Sequence, residues 1–456
     1  MSNEPKTKNQ SRTFQFDLKE KEPESHHMHE TKEPENISHS PPKLEAPALD
    51  GIAGDIIKKI LPHTEASEAA MLFNLLAGFG NIAGRSAYTM AGNSPHHTNL
   101  FGVLVGATSS GRKGTSWSAI KELLREVDPD WYQSRMASGL SSGEGLIYHV
   151  RDERTEKKPI KDGKRIVDYQ DEIVDEGVSD KRIFLLEEEF ASVLKRMKGK
   201  DNTLSAIIRS LWDGGNLRTL IKNSPDTATE PHGSIMAHIT KAEASELVAG
   251  VDCQNGLVNR FMWIYTNRSK SLPHAGAIPM EQLSGEIKRL QDAVFKAQTE
   301  REIPLSAEAH DRWSKIYDEH CTGQAGLIGA VTGRAAPMIR RLSLCYALME
   351  GNDEQTLGNL ESGLSAWKYC EDSAGWLFGT PFNDPDADRL WNTLKGQKNG
   401  MTRSEISLKV FNNHADKERI NTALEKLERS GEAFKKTEPT IGAPRERWFP
   451  NSAANC

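Results

Sequence analysis

Polar and apolar positions divide the chain into blocks of different period. Residues 1 to about 48 are rich in Glu, Lys, Pro, Ser and His, with almost no aliphatic clusters, which predicts a disordered tail. From Asp55 to Gly84 the pattern turns helical. Ile56, Ile57 and Ile60 lead into Leu61-Pro62, and Ala69, Leu72, Phe73, Leu75, Leu76 and Phe79 then share one broad apolar face. Four short apolar runs read as buried strands: 100–105, 182–186, 233–239 and 261–265. The first is followed by a helix through Trp117, Ile120, Leu123 and Leu124, stopped at Asp128-Pro129. Strands alternating with helices predict an α/β fold.

Residues 151–182 interrupt this pattern. Nineteen of these 32 residues are charged, nine basic and ten acidic, so a solvated surface insertion with the form of a hairpin is expected. Farther along, 306–319, 334–349 and 357–378 read as helices, and Asn383-Asp384-Pro385 marks a linker. Beyond it the order is helix, helix, helix, hairpin. Leu390, Trp391 and Leu394 mark the first helix, 403–411 the second, and Ile420, Leu424 and Leu427 the inward face of a third over 416–430. Strands at 433–437 and 445–449 flank a turn at 440–444, which completes the plan of a winged helix. The expected domains are thus a tail (1–48), an α/β core (49–300) carrying the insertion, a helical lid (301–380) and a winged helix (385–450).

Composition narrows the setting. The chain has 456 residues, 37% hydrophobic, with no apolar run near the ~18 residues of a membrane span and no signal segment at its N-terminus. Five scattered cysteines without a C-x-x-C pair suit reduced thiols in a cytoplasm. A formal net charge of −6 excludes a wholly polybasic nucleic-acid binder, so any such contact comes from local patches.

The densest candidate chemistry follows the first strand, at Gly106-Ala-Thr-Ser109-Ser-Gly111-Arg112-Lys113-Gly114-Thr115-Ser116. Small residues between a strand and a helix let main-chain N–H groups curl around phosphates. A lysine neutralises β/γ charge, and a hydroxyl ligates Mg²⁺. Gly106 and Gly111 are spaced as in a Walker A loop, but Arg112-Lys113 stands where Lys and Ser/Thr are usual. Lys113 is assigned to phosphate and Thr115 to the metal, with Ser116 in reserve. The bland alternative is a flexible Gly/Ser turn.

Glu187, Glu188 and Glu189 close the second strand, expected beside the loop strand, as a Walker B carboxylate set would. Glu187 is placed to hold Mg²⁺. Glu188 and Glu189 compete to orient the attacking water, since only one can point inward. The third strand ends in His238 and Thr240, polar groups able to sense a γ-phosphate, although His238 reads equally as a hydrogen-bonded core residue. Arg260, just before the fourth strand, reads as an arginine finger or as a surface arginine. Over 385–450 thirteen basic residues face ten acidic ones, with Lys417, Arg419, Lys426 and Arg429 on the third helix and Lys435 and Lys436 on the wing as DNA contacts.

The ordered set of 106–116, 139–147, 185–190, 211–220, 255–261 and 332–344 resembles the replication ATPases of plasmids and prophages. It is more distantly similar to the minichromosome maintenance helicases of the AAA+ class. The resemblance implies a P-loop NTPase core of AAA+ type that uses ATP and Mg²⁺ and acts on DNA as a homo-oligomeric ring. It implies a trans-acting finger at Arg260 and a lid arginine at Arg334. It also implies a DNA-probing hairpin within 151–182 and a second one carrying Arg218 and Lys222. A primase would stand on a separate chain, since this one has neither a zinc ribbon nor a further acidic triad. Because the loop and the acidic box both depart from the usual pattern, a nucleotide-dependent DNA-binding adaptor that does not unwind is the alternative.

Overall fold

The computed structural model describes residues 41–199, 202–219, 226–248, 255–274, 276–321, 326–379, 384–397, 399–429, 432–439 and 445–451. Expectations for residues 1–40, Lys222 and the 440–444 turn lie outside them. Chain packing begins before residue 48: a single 3-10 turn, Ala46–Leu49, buries Ala48, whose carbonyl accepts from the Tyr346 hydroxyl at 2.7 Å. Helix α1 (Glu68–Ala83) starts at Ser67, whose side chain accepts from Ala70 N at 3.1 Å. It is buried along nearly its whole length, so the apolar face read from its spacing is one side of a central helix.

It packs against a sheet of five strands, four of which fall at the predicted apolar runs. They are β1 (Phe101–Val105), β2 (Met136–Ala137), β3 (Arg182–Glu187), β4 (His232–Ile239) and β5 (Met262–Tyr265). All pair in parallel, in the spatial order β5-β1-β4-β3-β2. The two-residue β2 is too short to leave a periodic signal in the sequence. The acidic strand β3 does not adjoin β1 as expected, because β4 lies between them. Val105 stands level with Ile239 and Tyr265, whereas Glu187 pairs with Ala237, which pairs with Val103. Glu187 therefore sits two residues below the end of β1, and Glu188 and Glu189 continue up to it.

Helix α2 (Lys113–Val127) follows β1, α3 (Lys241–Val248) follows β4, and α4 (Ala335–Met349) and α5 (Leu357–Phe378) come from the segment expected as a lid. α4 is almost wholly buried, and the 301–380 segment shares one continuous apolar core with the sheet instead of forming a separate body. The charged insertion is the antiparallel hairpin expected, Arg154–Asp162 with Arg165–Asp175, exposed along both strands. At its foot Arg151 bonds Asp175 at 2.8 Å and Arg154 approaches Asp226 at 3.9 Å. Beside it Leu217–Arg218 pairs with Thr227–Ala228. The C-terminal segment builds its own apolar core from helices Pro385–Leu394, Arg403–Phe411 and Lys417–Arg429 under a three-stranded antiparallel sheet. Among the described residues no helix is long and apolar enough to cross a membrane.

Histidines sit at the N-terminal edge of the sheet. His232 is fully enclosed with Nε2 3.0 Å from Gly80 O, His97 packs edge-on to Tyr88, and His96 lies beside Arg341. Burial pushes His232 down to about 3 and His96 and His97 to about 4. All three are neutral in the fold, whereas an unfolded histidine titrates near 6.5, so the unfolded state binds more protons below that pH. Stability is then full above about pH 6.5 and falls as the pH drops toward 4. The unfolding midpoint is expected to fall by roughly 5 °C or more from pH 7 to pH 5, and His232→Gln to reduce that slope. A midpoint steady down to pH 5 would contradict this.

Candidate functional site

The loop after β1 is shaped by close packing. A Cβ on Gly106 would lie 2.4 Å from Thr266 O, and one on Gly111 2.7 Å from Ala107 O, so neither position admits a side chain. Thr266, the residue after β5, donates its N–H to Val105 O at 2.9 Å and its hydroxyl to Gly111 O at 3.1 Å. Between the glycines, residues 107–110 are exposed. Ser109 (φ 61°) and Arg112 (φ 46°) hold left-handed backbone that non-glycine residues rarely adopt, a strain that concentrates at ligand-holding loops.

Lys113 opens α2 and folds back into the loop, where Nζ donates to Gly106 O at 2.8 Å and to Ala107 O at 3.3 Å. Burial lowers its pKa, and the nearby Glu243 carboxylate opposes that. The helix has no side-chain N-cap, and the first N–H bonded within it is that of Ser116, to Arg112 O at 3.0 Å. The N–H groups of Lys113, Gly114 and Thr115 thus remain free at the positive end of a fifteen-residue helix.

Other expected ligands are placed differently. Arg112 turns away to Glu65 at 2.5 Å, the carboxylate that also binds Arg268 and accepts from Leu272 N at 2.7 Å. These bonds, led by the Leu272 N–H, hold the Glu65 carboxyl below its usual range. Thr115 and Gly114 are exposed at the helix start, but Ser116 is buried, accepting from Asn74 Nδ2 at 3.0 Å and donating to Lys113 O at 2.6 Å. Ser116 is thereby removed as a reserve metal ligand. Thr240 caps α3, its N–H and hydroxyl both donating to Glu243 Oε2, so its hydroxyl is occupied by the helix start and not aimed at a phosphate. His238 is buried in β4, as the core alternative expects, with its Nε2 lacking a hydrogen-bond partner among the described residues. Burial, then the Lys113 ammonium, pushes it down to about 4.

The three glutamates separate. Glu187 is buried and accepts from Leu140 N at 2.8 Å, so at least one of its oxygens serves the chain after β2. Glu188 is exposed and reaches the helix start: a methyl on Gly114 would sit 3.9 Å from its Oε1. Glu189 is the exposed residue that precedes helix Phe190–Met197. Glu188 thus brings a carboxylate to the start of α2, where Gly114 and Thr115 are exposed. Beside the loop opens a cavity of about 440 Å³ that also reaches Tyr265, Arg268 and Trp376. Glu65, Thr266 and Trp376 left no motif in the sequence. Only the polar residue following β5 was a readable signal, since strand ends in parallel sheets face ligands.

The two arginines lie at the opposite edge. Arg260 is buried before β5, its Nη2 2.7 Å from Asp213 Oδ2, its Nη1 donating to Gly256 O, and its Nε without a partner. Arg334, preceding α4, reaches Asp213 Oδ1 at 3.7 Å. Arg341, which sequence reading missed, stacks on Trp212 at 3.8 Å and donates to Asn99 O, Asn99 Oδ1 and Trp212 O. Burial lowers its guanidinium to about 9. All three guanidiniums converge on the Trp212 ring, the other two at 5.6 and 4.9 Å. The four residues of β5, about 13 Å of strand, lie between the 3-10 turn that carries Arg260 and the loop at the other end of the sheet.

The C-terminal basic residues are largely paired within their own module. Arg419 bonds Asp386, Lys426 sits 2.9 Å from Asp384, and Lys435 lies 3.6 Å from Glu428. Arg429 makes only a long contact with Glu425 at 3.9 Å, while Lys436 lies over the stacked Phe434 and Phe449 rings. Lys417 and Arg218 are exposed.

The fold is mixed α/β with a parallel five-stranded sheet, and its most built site is the loop at the C-terminal end of β1. No family model and no curated protein matches the chain. If Glu188 works on a nucleotide at the loop and Glu187 only holds Leu140, phosphate release is expected to persist in Glu187→Gln, which keeps the accepting oxygen. It is expected to fall by about 100-fold or more in Glu188→Gln. The opposite ranking would return the role to Glu187.

Proposed function

We propose that the chain is an ATP-dependent DNA replication protein of a mobile element, a helicase-like P-loop ATPase that works as a ring. The observation that carries this reading is Lys113. Its ammonium is already seated inside the Gly106–Gly111 loop, at the start of an uncapped helix and at the C-terminal end of a parallel strand. An incoming triphosphate exchanges two carbonyl contacts for charge-assisted ones and receives the free N–H groups of α2. Thr115 and Glu188 would hold Mg²⁺, which neutralises β/γ charge when bound. Glu188 orients a water for attack on the γ-phosphorus and takes its proton, while ADP leaves with the bridging oxygen. His238, whose buried Nε2 has no hydrogen-bond partner among the described residues, stands near enough to Lys113 to feel its charge and would sense a γ-phosphate through it.

Arg260 and Arg334 support action in trans. Their cluster gathers three guanidiniums around Trp212, two of them paired with Asp213, and reaches the surface at Arg334 and Asp213, at the edge opposite the loop. Arg260 is buried, so action on a neighbour's γ-phosphate requires it to leave Asp213 for the transferring group as the subunits meet. The paired hairpins, with Arg218 on the second, and the C-terminal module of winged-helix plan, with Lys417 and Lys436 free of carboxylate pairs among the described residues, supply DNA contacts. A primase on a separate chain is the partner in priming.

One observation favours a second reading, a nucleotide-dependent DNA-binding adaptor. Glu187, the strand-end carboxylate, is tied to Leu140, which leaves Glu188, the exposed glutamate that reaches the helix start, to do the work of two. Phosphate release with and without single-stranded DNA decides between them. The proposal expects DNA-stimulated turnover that is lost in Lys113→Ala and falls about a thousandfold in Arg260→Ala. Nucleotide binding without turnover selects the adaptor, and turnover unchanged in Lys113→Ala rejects the site.

A further inference from the structure

The phosphate loop occupies only one wall of the 440 Å³ cavity. The other walls are Tyr265 at the end of β5, Asn267 and Arg268 just after it, Lys241 at the start of α3, and Trp376 and Leu377 near the end of α5. Three separate elements thus bring two aromatic rings and a polar rim against the loop backbone from Gly106 to Gly111. The rings are held in place. Trp376 and Tyr265 meet edge to face, with centroids 6.1 Å apart at 72°. Lys241 donates to Trp376 O at 3.0 Å and sets its ammonium 4.9 Å from the indole centroid. Tyr265 is fixed at both main-chain ends, its N–H donating to Ser373 Oγ at 3.1 Å and its carbonyl accepting from the Tyr369 hydroxyl at 2.8 Å.

From this we infer that the cavity is the nucleoside pocket of the same site, and that Trp376 is its principal contact for the base. The inference rests on the triphosphate reading of the loop and adds which residues grip the rest of the nucleotide. A planar, polarisable base with polar edges suits a pocket of this size whose walls are two fixed aromatic rings and an aliphatic side chain, with an amide and a guanidinium at the rim. The geometry gives the pocket one orientation. Phosphates lie toward Lys113 and the free N–H groups of α2, and the base lies toward α5. This makes α5, from the segment expected as a separate lid, a fixed wall of the site, because it shares the core of the sheet.

The test compares two probes on the full chain, Mg·ATP and inorganic Mg·tripolyphosphate, by calorimetric titration. Tripolyphosphate reads the loop alone, and ATP reads loop and pocket together. In the wild-type protein ATP is expected to bind at least tenfold more tightly than tripolyphosphate, the scale of one base–aromatic contact. Trp376→Ala is expected to bring ATP down to the tripolyphosphate level while leaving tripolyphosphate unchanged, and Trp376→Phe to restore most of the difference. Lys113→Ala is expected to weaken both probes. Equal binding of the two probes by the wild-type protein overturns the pocket and leaves the loop standing, and that comparison needs no variant to fold. A Trp376→Ala protein that keeps the wild-type ratio also overturns it. Binding of neither probe overturns the loop reading and this inference together.

Discussion

The site depends on how closely the loop after β1 lies against the end of β5. Thr266 bonds Val105 and Gly111, and its carbonyl stands where a side chain on Gly106 would have to go. That contact forces the loop to turn immediately, starts α2 at Lys113 with its first N–H groups free, and brings the lysine side chain back over the carbonyls of Gly106 and Ala107. A backbone carbonyl 2.4 Å from a Cβ position cannot yield as a flexible side chain would, so the shape of the loop is inherited from the sheet.

From the same sheet follows a separation of charges. Polar groups able to handle a phosphate collect at the C-terminal ends of the strands, around Lys113, His238 and Glu188. Arg260, Arg334 and Arg341 collect at the N-terminal ends around Trp212. The length of β5, about 13 Å, lies between the Arg260 turn and the loop end of the sheet. At that second end three guanidiniums gather around Trp212, and two of them pair with Asp213. The proposed ring is the arrangement in which the two half-sites meet.

The sequence made four of the five strands, the helix after the loop and the charged hairpin legible, because each is a run of apolar or charged residues long enough to show a period. Residue order alone placed Lys113 at the start of the helix that follows the loop. What it could not convey was direction. Whether Glu187 or Glu188 faces the helix start depends on strand register, and on Leu140, a residue 47 positions away in the chain. Thr240 looked like a ligand because a threonine that caps a helix and one that meets a phosphate have the same identity. Its partner Glu243, three residues on, was the missed sign of a capping box. Arg419 and Lys426 read as a DNA-facing row until the fold brought Asp386 and Asp384 against them. The 301–380 helices read as a separate lid because apolar helices look alike whether they cover a site or complete a core. Trp376 carried no signal at all, since a lone tryptophan in an apolar helix is ordinary.

The central claim is that the Lys113 ammonium holds the place a terminal phosphate takes up. A crystal structure of the protein with Mg²⁺ and a non-hydrolysable ATP analogue tests it most directly. The account predicts that Lys113 Nζ leaves Gly106 O and Ala107 O for a β- or γ-phosphate oxygen, with the phosphates against the N–H groups that open α2. A nucleotide bound elsewhere, or one bound while Lys113 keeps both carbonyl contacts, would contradict it.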